Sequence, residues 1–115
     1  MKLISADASP FARKCRILIH EAGLGDRVEV VSLTTTPINT DPQVASANPA
    51  GKIPALLRDS GPALYDSRVI TRYLDEISGA GLYPQARIWE VLTLEATADA
   101  MMDAAVLMVY EHRMR

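Results

Sequence analysis

Ser9-Pro10 stands where a short apolar segment meets a basic helical one, in "ADASPFARKC" (Ala6–Cys15). In a thiol oxidoreductase this kind of junction carries Cys-Pro-x-Cys, and the thiolate is the reactive form. Here the two cysteine positions are Ser9 and Ala12, so the junction suits thiol chemistry but brings no thiol. A serine at this point has two readings. It is a natural N-cap, with Pro10 a natural first helical residue. It is also a hydroxyl at a helix N-terminus, where the dipole and free N–H groups favour an anion.

Two further junctions carry polar chemistry. In "NPAGKIPAL" (Asn48–Leu56), Ile53-Pro54 enters a strand where proline is awkward, because it cannot donate to the ladder. A cis peptide there would leave the Ile53 N–H and C=O free to pair with an extended peptide. The alternative is a plain turn before a hairpin. Lys52 beside it suits a carboxylate, or is simply a solvated lysine. In "LYDSRVITRYLDE" (Leu64–Glu76), Asp66-Ser67 sits where a strand gives way to a helix. Either residue is a cap. Together they also form a polar clamp, with Ser67 and backbone N–H groups for a carboxylate and Asp66 for an ammonium.

Other reactive side chains carry less. Cys15 is the one cysteine and falls among apolar helical positions, so it reads as a buried packing residue. A single cysteine allows no disulfide within the chain. His20 and His112 are far apart and no Cys/His cluster has zinc-like spacing, so no metal is expected. "GLGDR" follows a helix rather than opening one, so it is no phosphate loop. Tyr73, Trp89 and Met101-Met102 read as core or interface. Glu95, Asp99 and Asp103 recur every fourth residue, an acidic face for solvent or a basic partner.

The elements that must position these residues follow from period and punctuation. Lys2–Ala6 is expected as a strand, Pro10–Ala22 as a helix with Phe11, Cys15, Leu18 and Ala22 at helical spacing, and Val28–Leu33 as a second strand. That is β-α-β, which requires a crossover and a parallel pair. Thr34–Gly51 is irregular, with Pro37, Pro42 and Pro49 and one short helix near Pro42–Ala47. Ile53–Leu57 and Pro62–Leu64 form a hairpin across Asp59-Ser60-Gly61. A helix from Ser67 to about Ile77 presents Val69, Ile70, Tyr73, Leu74 and Ile77. This order, β-α-β-β-β-α, is the thioredoxin-like α/β arrangement, four mixed strands with helices on both faces. "SGAGLYPQ" (Ser78–Gln85) has linker composition, and one helical pattern runs from Ala86 to about Arg113. That helix is apolar nearly all round and needs burial on several sides. The chain is therefore expected to be incomplete, truncated or cleaved, or completed by partner chains.

The chain has 115 residues, enough for one compact domain, and 49% of them are apolar, so a real core is available. Its net charge of −2, with acids and bases interspersed, argues against a nucleic-acid surface. Asp7 and Pro10 interrupt the N-terminal apolar run too early for a secretory signal. The last helix is the one segment long enough to span a membrane, and its scattered acids argue against that. One unpaired cysteine fits a reducing cytoplasm.

In this order, "ASPFARKCRI", "NPAGKIPAL" and "LYDSRVITRYLDE" resemble the N-terminal domain of the glutathione S-transferase superfamily. The linker and "ARIWEVLTLEATADAMMDAAVLMVYE" resemble the start of that family's all-helical second domain. The similarity is strongest to bacterial cytosolic members and to classes with a serine in Ser-Pro-Phe. It implies a glutathione-binding domain over residues 1–78, a linker at 79–85, and the first helix of a truncated all-α domain at 86–115. It also implies a detoxifying transferase with glutathione as co-substrate and no metal. Ser9 would be catalytic, hydrogen-bonding the glutathione sulfur. Ile53, before cis-Pro54, would pair through its backbone with the cysteinyl unit. Asp66 and Ser67 would hold the γ-glutamyl end, Lys52 the glycyl carboxylate. Asp99 resembles an acidic residue that, in dimeric members, reaches the neighbouring subunit's glutathione. The partners implied are a small hydrophobic electrophile and a second copy in a cytoplasmic homodimer. There are two departures: many members have Glu at the position of Asp66, and members are much longer than this chain.

Three function classes follow. The first is a transferase that activates glutathione as a thiolate. The second is a non-catalytic glutathione-binding or protein-interaction member of the same fold. The third, a thiol-disulfide oxidoreductase, is disfavoured by the lack of cysteine at 9 and 12.

Overall fold

The computed structural model describes residues 1–36 and 39–114. Pro37, part of the irregular stretch expected from Thr34 to Gly51, and Arg115, the end of the last expected segment, lie outside the described residues. The chain divides into two compact units, Met1–Gly81 and Leu82–Arg115.

The first unit holds β1 (Lys2–Ser5), α1 (Pro10–Glu21), β2 (Glu29–Ser32), α2 (Pro42–Ala47), β3 (Ala55–Leu57), β4 (Leu64–Tyr65) and α3 (Ser67–Ser78). The sheet order is β2-β1-β3-β4. β1 and β2 run parallel, as a β-α-β unit demands, while β3 is antiparallel to both β1 and β4. This is the expected thioredoxin-like arrangement.

Strand alternation assigns the two faces. Ile4 lies across from Ala55, and both pack with Val44 and Ala47 of α2. Leu3 lies across from Leu56, so this pair takes the opposite face, where α1 and α3 pack together. All four strand residues are essentially inaccessible. On α1 the buried set is Ala12, Cys15, Leu18 and Ile19, spaced at three and four residues. Cys15 is buried there as expected.

The structure shifts several expectations. The buried side of α3 is Ser67, Ile70, Thr71, Leu74 and Asp75, whereas Val69 is 47% exposed. The 100° step per residue explains this, since it turns Val69 about 100° from Ile70 and about 140° from Leu74, off the buried side. Thr71 joins the core because its hydroxyl donates to the Ser67 carbonyl at 2.9 Å. β3 begins at Ala55 rather than Ile53, after a proline with no N–H to offer the ladder. The second hairpin strand is Leu64–Tyr65, not Pro62–Leu64. The Pro62 carbonyl is instead taken by the Arg58 side chain at 2.9 Å.

The second unit begins with a 3-10 turn, Gln85–Arg87, and continues as α4 (Ile88–Met114). The helix therefore starts two residues later than the apolar pattern suggests, after Pro84 accepts from the Arg87 N–H. Trp89, Leu94, Met101, Leu107 and Met108 are each more than 60% exposed, so within this chain Trp89 and Met101 are not core residues. The acidic stripe is not uniformly solvated: Asp99 is buried, Glu95 accepts from the Tyr83 hydroxyl at 2.6 Å, and Asp103 is exposed. No helix among the described residues is long and apolar enough to cross a membrane.

Candidate functional site

Sheet register gathers the three junctions. β1 ends at Ser5, next to the start of β3, because Ile4 faces Ala55. β4 ends at Tyr65, next to the same start, because Tyr65 faces Ala55. The segment leading to Ser9, the Ile53-Pro54 segment and Asp66-Ser67 therefore leave or enter the sheet at one end. No sequence separation encodes that neighbourhood; antiparallel pairing of β3 with both strands creates it.

Ser9 is the N-cap of α1. Its backbone is extended, and its Oγ accepts from the Ala12 N–H at 3.1 Å. A hydroxyl has two acceptor sites and one donor. Capping uses one acceptor site, and among the described residues no acceptor meets the Ser9 O–H. The two sequence readings of Ser9 are thus compatible in one side chain.

Ile53-Pro54 is a cis peptide bond. Ile53 is half-buried and lies outside the β3 ladder, which begins two residues later. Asn48 organises the approach. It is buried, its Nδ2 donates to the Lys52 carbonyl at 3.0 Å, and its Oδ1 accepts from the Ala50 N–H at 2.9 Å. Gly51 adopts φ +67° against the Thr40 side chain, where a Cβ would come within 3.2 Å of Cγ2. Only glycine takes both conditions without strain. The Lys52 side chain is exposed.

Asp66 caps α3 by accepting from the Arg68 N–H at 2.9 Å. It does so at φ +70°, a region non-glycine residues rarely enter. The Arg68 side chain closes on the same carboxylate with two bonds, 3.0 Å to Oδ1 and 2.8 Å to Oδ2. These side-chain bonds are the main reason the Asp66 pKa falls to about 2. Partial burial opposes the shift, while the Arg68 N–H, its charge and that of Lys14 on α1 reinforce it. The pair is well exposed, 59% for Arg68 and 42% for Asp66, so its stabilising effect is screened. Ser67 beside it is buried.

The site residues read from sequence thus separate into two groups. Ser9, Lys52, Ile53, Pro54, Asp66 and Ser67 lie on junctions at one sheet end. Asp99 lies on α4 in the second unit and is buried. Sequence reasoning missed Arg68 and Asn48. Arg68 was detectable in principle, since a cation two residues after a capping acid sits within its reach. Asn48 carried only the weak signal of an Asn-Pro turn. Among the described residues, no three His, Cys, Asp or Glu side chains gather as a metal site.

The family model described as "Glutathione S-transferase, N-terminal domain" matches residues 8–77. The chain is 35% identical over 114 residues to the uncharacterized GST-like protein YibF of Escherichia coli (strain K12), covering 96% of this chain and 54% of that protein. It is 35% identical over 74 residues to glutathione S-transferase 3 of Zea mays, covering 64% of this chain and 32% of that one. Among solved structures, a glutathione transferase family member from Pseudomonas fluorescens Pf-5, with bound glutathione, superposes with a TM-score of 0.91 at 45% identity. The match covers 96% of this chain and 55% of that one. A glutathione S-transferase from Methylobacillus flagellatus KT, with glutathione bound, superposes at 0.79 with 41% identity, covering 97% and 55%. The chain spans about half the length of these two structures and of YibF.

Proposed function

This chain belongs to the glutathione S-transferase family, and on that premise we propose that the protein activates glutathione as a thiolate for attack on a soft hydrophobic electrophile. Ser9 donates a hydrogen bond to the sulfur. The Ile53 backbone, before cis-Pro54, pairs with the cysteinyl unit. Asp66 and Ser67 hold the γ-glutamyl end, and Lys52 meets the glycyl carboxylate. Asp99 is carried with these as the acidic residue that would act in a homodimer. The setting we propose is a cytoplasmic homodimer that disposes of reactive electrophiles, with residues 1–78 as its glutathione-binding domain, 79–85 as linker and 86–115 as the first helix of an all-α domain.

The observation that carries this reading is the Ser9 hydroxyl: a helix cap that keeps its O–H to give, at the end of the sheet shared with Ile53 and Asp66. A free thiol has a pKa of about 8.5, so only a few per cent is thiolate at pH 7. Lowering it by about two units needs roughly 2.7 kcal/mol of preference for the charged form. One hydrogen bond to an anion contributes about 1.5–3 kcal/mol. The helix N-terminus adds about 0.3–1 kcal/mol. The two together suffice without a general base. Serine keeps its proton and stabilises the anion that forms when the thiol proton leaves to water. Holding sulfur and electrophile together lowers the barrier further.

The test is conjugation of glutathione to an activated aromatic halide by the full-length protein, alongside calorimetric binding. Turnover with saturable glutathione dependence supports the transferase. Binding without turnover on a panel of soft electrophiles favours the non-catalytic module, and no binding rejects both.

A further inference from the structure

Ser9 sits at the end of the passage from residue 6 to residue 9 that joins β1 to α1 and belongs to no regular element. An unsupported passage of this kind would blur the position of a hydroxyl whose value lies in its direction. The structure ties it down from three sides. Arg16, on the second turn of α1, donates from Nη1 to the buried Ser5 Oγ and, at 3.2 Å, to the Ala6 carbonyl. That same carbonyl accepts from the Ser9 N–H at 3.1 Å. Asp7 accepts from the Ser32 hydroxyl at 2.7 Å, fastening the outer side of the passage to the end of β2.

The Ala6 oxygen is therefore a shared node, one hydrogen bond from Arg16 and one from Ser9. The helix geometry makes the reach natural. Seven residues separate Ser9 from Arg16, nearly two turns, so both lie on one side of α1. Helical side chains slant toward the N-terminus, so a long guanidinium there extends back beneath its own helix start. Arginine also suits the task by shape, since its planar fork holds fixed directions that a lysine ammonium does not.

We propose that Arg16 is a positioning residue for the reaction: it acts through the Ala6 carbonyl to hold the Ser9 N–H, and with it the direction in which the Ser9 O–H is given. It touches neither sulfur nor electrophile. The proposal rests on the reading of Ser9 as the sulfur's donor, and it predicts a division of labour. Losing Arg16 leaves glutathione held by the Ile53 and Asp66 segments but loosens the hydrogen bond to its sulfur.

The experiment uses Arg16→Ala, Arg16→Lys and Ser5→Ala in the full-length protein, with two independent readouts. The first is amide hydrogen exchange without ligand. Arg16→Ala is expected to speed exchange at Ser9 and Ala12 while Leu18 and Ile19 keep their protection. The second is ultraviolet titration of bound glutathione with steady-state kinetics. The bound thiol's pKa is expected to rise by about half a unit to one unit, with kcat falling about three- to tenfold. The KM for glutathione is expected to stay within about twofold, since binding contacts remain. Arg16→Lys should recover part of the change, because it can still reach one of the two oxygens. Ser5→Ala, which removes only one acceptor, should fall between Arg16→Lys and the unaltered protein. Unchanged exchange at Ser9 and Ala12 overturns the proposal, as does loss of protection along the whole of α1, which would make Arg16 a general support of the fold. Faster local exchange in a protein that binds no glutathione rejects the transferase reading but leaves the brace on Ser9 standing.

Discussion

Two strand-to-helix junctions lie at the same end of the sheet and use the same local device, a side-chain cap, with opposite consequences. At β1–α1 the cap is neutral Ser9, in ordinary extended backbone, with its O–H still to give. At β4–α3 the cap is ionised Asp66, at φ +70°, with both carboxylate oxygens engaged by Arg68. The first junction offers a donor. The second offers charge that is already partnered, so any ammonium arriving there must share Asp66 with Arg68 or displace it. A cap's chemistry is thus set less by the capping bond than by what remains after that bond is made.

The broadest way to break the comparison is to remove what both junctions stand on. Leu56 is fully buried on the α1–α3 face, and Leu56→Ala should cost about 2–5 kcal/mol in urea denaturation. A loss under about 1 kcal/mol would mean that the two junctions do not share one close-packed support.

Ser9→Ala sharpens the donor side. It should raise the bound thiol's pKa by about one to two units, the worth of a hydrogen bond to an anion. It should also cost about 0.5–2 kcal/mol of stability, as loss of a cap does. A normal titration paired with that stability loss would leave Ser9 a cap and nothing more.

Asp66→Ala sharpens the charged side. Glutathione affinity should fall about five- to tenfold by calorimetry, on the order of one hydrogen bond. Equal affinity would remove Asp66 from the site and return it to structure.

The smallest effect concerns pH. The Asp66 pKa is lowered in the folded state, so its ionised form stabilises the fold above the unfolded value near 3.8. That contribution fades as pH falls through about 2. Asp66→Asn should therefore be slightly less stable than the unaltered chain at neutral pH, and the gap should close between about pH 4 and pH 2. A gap that persists at low pH would show that the ion pair with Arg68 is not its source.

Much of the first unit is legible in the sequence because its signals are local. Ser9-Pro10 marks the start of α1, and Pro42–Ala47 is a helix with Asp41 as its cap. Gly79 ends α3 in the left-handed conformation that glycine permits. Hairpin boundaries were less legible. Pro54 and Pro62 both interrupt apolar runs, and which residues pair depends on the neighbouring strand. Val69 and Thr71 exchange the places that hydropathy alone would give them, because the hydroxyl of Thr71 finds a carbonyl in its own helix.

Residue types and short spacings alone determined the kinds of chemistry this protein has to offer: a hydroxyl before a proline, an acid and a serine ahead of a helix, and a lone cysteine on an apolar stripe. These depend on neighbours within a turn or two, where backbone preference and side-chain reach act directly. Only the tertiary structure decided that Ser9, Ile53 and Asp66 share one end of a sheet, that Arg16 reaches the turn before its own helix, and that Asp99 is buried. Those outcomes depend on strand register and on packing between residues distant in sequence, where a shift of one residue turns every side chain to the other face.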